Sequence, residues 1–420
     1  MGGTRTATKR DIRIGMAVSG TFLFLIVIFV TVHGLERKAD FGARYAASVC
    51  LVNGNGSRLY DLGEQQHVQE ELLGRKGLLV DPYAPYEPVL FAPLTLLDYG
   101  AAYLVWGAIN VVLLLLSWHI LRNQSSAGAQ PFRQLILWSL FLPVWIALIQ
   151  GQFSILLLFS FAVAFWCLKR GRDYLGGLAL GLGLFKFPVV LPFALIFLLR
   201  RKWRFIGGLT TAAGTLSLVS VMAIGRPGVL SYINLLADIM RHPANPAYAT
   251  IEPWNMPTVR GFVMGILGSH IAEGWITPVA GVLSVCMILI TVWRWKSNES
   301  GDNGQNFELM FGAALAVSLV TAPHLYVHDL TPLLLVISVV LSSARWVVKS
   351  TPGVLFIAGI SILYALPFYY LKLLASNEVY VLAPFIVAIA LAVMNMACQP
   401  ALSDRAVGGM HPPSHVGVTS

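Results

Sequence analysis

The sequence is poor in charge. Of its 420 residues only 12% are Asp, Glu, Lys or Arg, whereas a soluble domain carries about a quarter. With 56% hydrophobic residues, that deficit excludes an ordinary soluble fold. Cysteine is nearly missing. Cys50, Cys167, Cys286 and Cys398 are scattered without metal-ligand spacing, so they read as packing residues. Neither a P-loop nor a convincing dinucleotide fingerprint occurs, and the glycines of "GGLALGLGLFK" fit close packing between membrane helices instead. No small-residue cleavage site follows the first apolar block, 14–33, which is expected to stay as a span rather than leave as a signal peptide. Nor is there an internal repeat.

What is present is one long apolar block after another, bounded by charge or by Gly and Pro. The fold class is an all-α polytopic membrane protein. Spans are expected near 14–33, 99–121, 134–150, 152–168, 174–199, 205–225, 276–295, 307–322, 327–346, 352–371 and 379–398. They form a single domain over 14–398 between a cytoplasmic leader, 1–13, and a disordered cytoplasmic tail, 399–420. Short cytoplasmic loops collect Lys and Arg. The segments "KRGRD", "RRKWR", "WRWK" and "SSARWVVK" all fall on that side if 174–199 enters and leaves the membrane rather than crossing once. That stretch is long for one helix and short for two, and "LFKFPVV" interrupts it with a proline. We read it as two short helices meeting at Lys186-Phe187-Pro188. The net charge of +9 is then membrane orientation and says nothing of nucleic acid.

Two exterior segments, about 34–98 and 226–275, are too long for turns, and the unusual polar residues gather on their side. Asp40 opens a stretch with apolar residues at helical spacing (Phe41, Tyr45, Val49, Val52), expected as an amphipathic helix lying along the membrane interface. Asp40 is either its N-cap or a carboxylate facing a cavity, where it would serve as a general base. "DPYAPYEPVLFAPLTLLDYG" interleaves prolines with Tyr83, Tyr86 and Glu87, which suits a rigid elbow or the rim of a sugar-binding cleft. Lys186 either snorkels to the headgroups or meets an anion at a helix break. "PWNMPTVRGF" adds Asn255 and Arg260. In "TAPHLYVHDLTPLLL", His324 and His328 stand four apart, on one face if the segment is helical. A metal there lacks an obvious third ligand, Asp329 points elsewhere by helical phase, and binding of phosphate or a hydroxyl is open beside the reading as loop histidines with a capping aspartate.

In their order and spacing these features resemble glycosyltransferase family 87, polyprenyl-phosphate-hexose-dependent enzymes of the GT-C superfamily. The resemblance covers about 36–345. It rests on "DFGARYAASVCLVNGNGSRLYD", "YAPYEPVLFAPL", "QGQFSILLL" with Gln150 and Gln152, "GLALGLGLFKFP", "NMPTVRG" and "APHLYVHDLTPLL". It implies a GT-C-like bundle of about 11–12 helices, some short or broken, and an inverting transfer of a hexose, mannose being the expected sugar, from a polyprenyl-phosphate donor to an envelope glycolipid or glycan. Asp40 matches the family's presumed base. Lys186, His328 and Arg260 are the candidates for the donor phosphate. His324, Asp329, Tyr86, Glu87, Gln152, Asn255 and Tyr45 are candidates for substrate. No cofactor is required, a divalent metal is compatible but not indicated, and the site is expected to face the periplasm or exterior of a bacterial inner membrane. The rival reading is a transporter or flippase, to which broken helices and a buried lysine also belong. The absence of a repeat and the crowding of polar residues at one face weigh against it.

Overall fold

A computed structural model describes residues 9–74, 78–80, 82, 84–122, 131–241, 253–297, 304–343 and 348–398. Tyr83, the centre of the "SSARWVVK" loop and the 399–420 tail lie outside the described residues. Those described form helices, turns and loops, with no strand among them. In chain order the helices are α1 (Lys9–Val32), α2 (Phe41–Val52), α3 (Leu62–Leu73), α4 (Glu87–Phe91), α5 (Tyr99–Arg122), α6 (Pro131–Ser139) and α7 (Leu142–Gln150). They continue as α8 (Ser154–Leu168), α9 (Asp173–Leu180), α10 (Phe187–Leu199), α11 (Trp203–Arg241), α12 (Val259–Leu267) and α13 (Glu273–Ser297). The last are α14 (Gly304–Val320), α15 (Leu333–Ser342), α16 (Thr351–Tyr364), α17 (Leu366–Ala375) and α18 (Ala383–Ala397).

Among the described residues six stretches are long and apolar enough to cross a membrane: Lys9–Val32, Tyr99–Arg122, Asp173–Leu199, Trp203–Ile239, Gly274–Ser297 and Val379–Ala397. α16 and α17 qualify only as a pair bent by 68°. Several expected spans are therefore shorter or broken. The 134–150 span divides at Leu140-Phe141 into α6 and α7, with Pro143 in the first turn of α7, a position where its missing N–H costs nothing.

Asp173–Leu199 has the length and apolarity of one crossing, yet its two ends lie side by side. A straight helix of that length would separate them by about 40 Å. Instead Gly177 of α9 abuts the backbone of Phe205, since a Cβ built on Gly177 would fall 1.9 Å from the Phe205 carbonyl oxygen. Phe197 of α10 packs on the same residue, its ring centroid 4.4 Å from that of Phe205. A 3-10 turn over Gly181–Lys186 joins the two helices. The pair thus enters and returns, as length and Pro188 had implied, and carries Lys186 at its tip. Its outer flank follows α8 in reverse: Gly176 lies against Leu168 and Gly183 against Ser160 and Leu157.

Basic residues cluster at the end opposite that tip. The Lys169 ammonium pairs with Glu308, and the Arg200 guanidinium stacks 3.8 Å from the Trp295 ring centroid. At the other end α11 breaks at Gly225 (φ 66°, ψ 174°), the position where the sequence places the end of a span. Beyond it the helix resumes. Ile224 and Leu235 join Ala47, Cys50, Leu59, Tyr60 and Val80 in a second apolar cluster apart from the main core. All four cysteines are free; Cys50 and Cys167 are buried, whereas Cys286 and Cys398 are exposed and so do not pack in the core.

α2 corrects one expectation. It does not lie on the surface with one apolar face, because Phe41 through Ser48 are all buried. The run of small residues Gly42, Ala43, Ala46 and Ala47 lets neighbouring elements close around it on all sides.

Candidate active site

Asp40, Arg44, Gln152, Lys186, His324, Tyr326 and His328 line one solvent-open cavity of about 440 Å³ with its mouth included, and Leu79, Val80 and Pro82 complete the wall. Five separate parts of the chain build it: the start of α2, the stretch 79–82 before α4, the α7–α8 turn, the tip of the α9–α10 pair, and the loop after α14.

Asp40 occupies the N-cap position of α2, but its side chain makes no capping bond. It is held from across the chain instead. The Asp40 N–H donates to Gln150 Oε1 at 3.0 Å, and Gln152 Nε2 donates to Asp40 Oδ2. Of the two roles open for Asp40, the cavity-facing carboxylate is the one adopted. Gln150 and Gln152 can reach it because Gly151 sits between them with φ +62°, against the Phe41 side chain. A Cβ there would come within 2.7 Å of the Phe41 Cβ. Glycine is needed on both counts.

Behind Gln152 lies a residue the sequence reading passed over. Arg44 is 3% exposed; its Nη2 donates to Gln152 Oε1 at 2.9 Å, and its Nε lies 3.5 Å from Glu87 Oε2. The guanidinium also rides 5.2 Å above the Phe153 ring centroid. A lone cation in "FGARYAASVCLV" was the available signal, since a buried arginine requires a buried acid.

The opposite wall is organised by Asp329, which is 1% exposed. Its Oδ1 accepts from Ser154 Oγ at 2.6 Å and faces Lys186 Nζ at 3.2 Å. Its Oδ2 takes Lys186 Nζ and the Tyr326 N–H, each at 3.3 Å. The helical-phase reading of this loop fails. Residues 321–326 are not helical and 327–330 form a 3-10 turn, because Pro323 and Pro332 flank a segment too short for an α-helix. Asp329 therefore anchors its neighbours instead of pointing away. It lies behind the cavity wall, out of reach of a substrate. His328 is buried, its Nε2 3.5 Å from Asp329 Oδ2 and without a hydrogen-bond partner. A buried, unsatisfied imidazole nitrogen on a cavity wall is a place prepared for a ligand atom.

The remaining candidates stand elsewhere. Tyr86, whose phenol burial and the adjacent Glu87 push well above the usual tyrosine range, donates to the Leu184 carbonyl at 2.7 Å and braces the re-entrant tip. Glu87 is buried against Arg44. Neither lines this cavity, so Tyr86 and Glu87 serve the elbow of the proline-rich stretch, whose Pro82 alone among its described residues lies on the cavity wall. Tyr45 donates to the Leu97 carbonyl, and Asn255 Nδ2 bonds Asn377 Oδ1 at 3.3 Å. Arg260 reaches the Pro323 carbonyl at 3.4 Å, next to His324 but outside the cavity lining. Among the described residues no three His, Cys, Asp or Glu side chains gather as a metal site.

The profile of glycosyltransferase family 87 matches residues 82–323, more than half of the chain. The protein belongs to glycosyltransferase family 87. No curated protein and no solved structure gives a significant match. The matched span of this family 87 member contains Gln152 and Lys186 of the cavity, while Asp40, Arg44 and His328 are contributed from outside it. Membership decides between the two activities open from the sequence: the chain is a membrane glycosyltransferase, and GT-C membership is consistent with it.

Proposed function

We propose that this transferase moves a hexose, mannose being the first candidate, from a polyprenyl-phosphate carrier to a cell-envelope glycolipid or glycan. The acceptor hydroxyl attacks the anomeric carbon on the side opposite the phosphate. The bond from that carbon to the phosphate oxygen breaks, the configuration inverts, and polyprenyl phosphate departs with the bonding electron pair. Asp40 takes the hydroxyl proton. Lys186 and His328 steady the charge growing on the leaving phosphate, assisted from the rim by Arg260. A phosphate monoester leaves without a proton donor, and the transfer as written needs no cofactor.

The observation that supports this reading is the convergence of a half-buried carboxylate, an ammonium and an unsatisfied imidazole on one cavity. Basic residues at the opposite end favour a cytoplasmic position for that end, which turns the cavity toward the periplasm or exterior. The test is purified protein in detergent with polyprenyl-phosphoryl-mannose and an envelope lipid extract as acceptor. Release of polyprenyl phosphate should fall by at least two orders of magnitude in Asp40→Asn. Undiminished release would remove Asp40 from the mechanism.

A further inference from the structure

We propose that Arg44 and Glu87 are positioning residues that act on Asp40 through the Gln152 amide. The inference rests on Asp40 being the base and adds what holds it ready. A side-chain amide can turn either its N–H₂ or its oxygen toward a neighbour, and only the first suits a carboxylate. Arg44 removes the choice. Guanidinium has donors only, so the amide must present its oxygen to Arg44 and its N–H₂ to Asp40.

Each link fixes the next. The Ala84 N–H donates to Glu87 Oε1 at 3.1 Å, Glu87 Oε2 receives Arg44, Arg44 donates to Gln152 Oε1, and Gln152 donates to Asp40 Oδ2. Arg44 and Glu87 have side-chain exposures of 4% and 6%, so neither swings into solvent to find another partner. The chain runs from the proline-rich elbow to the cavity and ends on the atom that would take the proton. A hydrogen bond donated to a carboxylate favours its ionised form. Further charged or titratable groups near Asp40 include Lys186, His324, Tyr326 and His328 on the cavity wall, and Tyr370 of α17, which feels its charge. Arg37 and Lys38, just before it in the chain, are exposed.

The test is the pH profile of kcat/KM for polyprenyl-phosphoryl-mannose, measured on full-length protein with an envelope lipid extract as acceptor. In Gln152→Leu the acidic limb should move to higher pH by about one to two units, the worth of one bond to a charged acceptor. Arg44→Met/Glu87→Met removes both buried charges together, so it avoids an orphaned ion, and should move the limb in the same direction by a smaller amount. Monodisperse elution in detergent verifies folding. A lower kcat in both variants with the limb unmoved would overturn the proposal and leave these residues a purely structural role. Asp40→Asn, run in parallel, separates the two levels. If it retains full turnover, the base assignment falls and this inference falls with it. If it is inactive while the Gln152→Leu profile matches the parent, only the positioning role is lost.

Discussion

The pair of Lys186 and Asp329 gives the most exposed prediction about what holds the cavity together. The carboxylate is fully buried, and the Lys186 side chain keeps 15% exposure toward the cavity. At 3.2 Å, the gross attraction is about 5 kcal/mol for an effective dielectric near 20, most of it offset by desolvation of both ions. Removing one partner of a buried pair costs about 3–5 kcal/mol, because the other charge is left stranded. Lys186 can still draw on water in the cavity, so Asp329→Asn should cost about 3 kcal/mol, and Lys186→Met a similar amount. In Asp329→Asn/Lys186→Met no charge is stranded. The amide oxygen can still accept from Ser154 and the Tyr326 N–H, so the double variant should lose only about 1–2 kcal/mol. Reversible unfolding in mixed micelles with increasing SDS measures all four corners of this cycle. A coupling energy of at least 2 kcal/mol is expected. Additivity within about 0.5 kcal/mol would refute the claim that the two residues act as a buried pair.

Three further outcomes follow from the packing. Gly151→Ala forces a side chain into the left-handed region and toward Phe41, shifting Gln150 and Gln152 off Asp40; steady-state release of polyprenyl phosphate should drop about 100-fold, as for other small misplacements of a site, while detergent-soluble yield changes little. Gly177→Ala drives a methyl into the Phe205 backbone and should destabilise by about 1–3 kcal/mol, seen as a lower SDS midpoint. Lys186→Met should lower turnover about 100- to 1,000-fold, the usual cost of losing one preorganised charge contact, with donor binding by tryptophan fluorescence changed far less.

Much of this architecture could be read before any coordinates. Hydropathy located α1, α5, α13 and α18 to within a few residues, because a bilayer imposes length and apolarity directly on the chain. The re-entrant pair was legible too, since Pro188 and the placement of "RRKWR" both argued against one straight crossing. Asp40, Gln152, Lys186, His324 and His328 meet in one cavity because each sits on a turn, cap or loop at the same side of the helix bundle, and sidedness is a property that sequence records. Arg44 was missed for the opposite reason. Its acid, Glu87, is more than forty positions away, and no periodicity links α2 to α4. Asp329 was misdirected because helical phase was applied where two prolines prevent a helix. Tyr86, Tyr45 and Asn255 were selected for their chemistry alone, and their hydrogen bonds to Leu184, Leu97 and Asn377 belong to tertiary contacts that composition does not encode.

The hairpin tip also sets a schedule for biosynthesis. Lys186 emerges 143 residues before Asp329, so at about 5–20 residues per second the ribosome leaves that ammonium waiting roughly 7–30 s for its counter-ion. Until then the charge at the apex lacks the buried acid that holds it in the finished fold. The chamber is therefore completed late, when the stretch after α14 arrives and locks the apex in place. Truncations ending before residue 329 should yield chains whose apex is labelled by water-soluble reagents, long after the outer helices have settled into lipid.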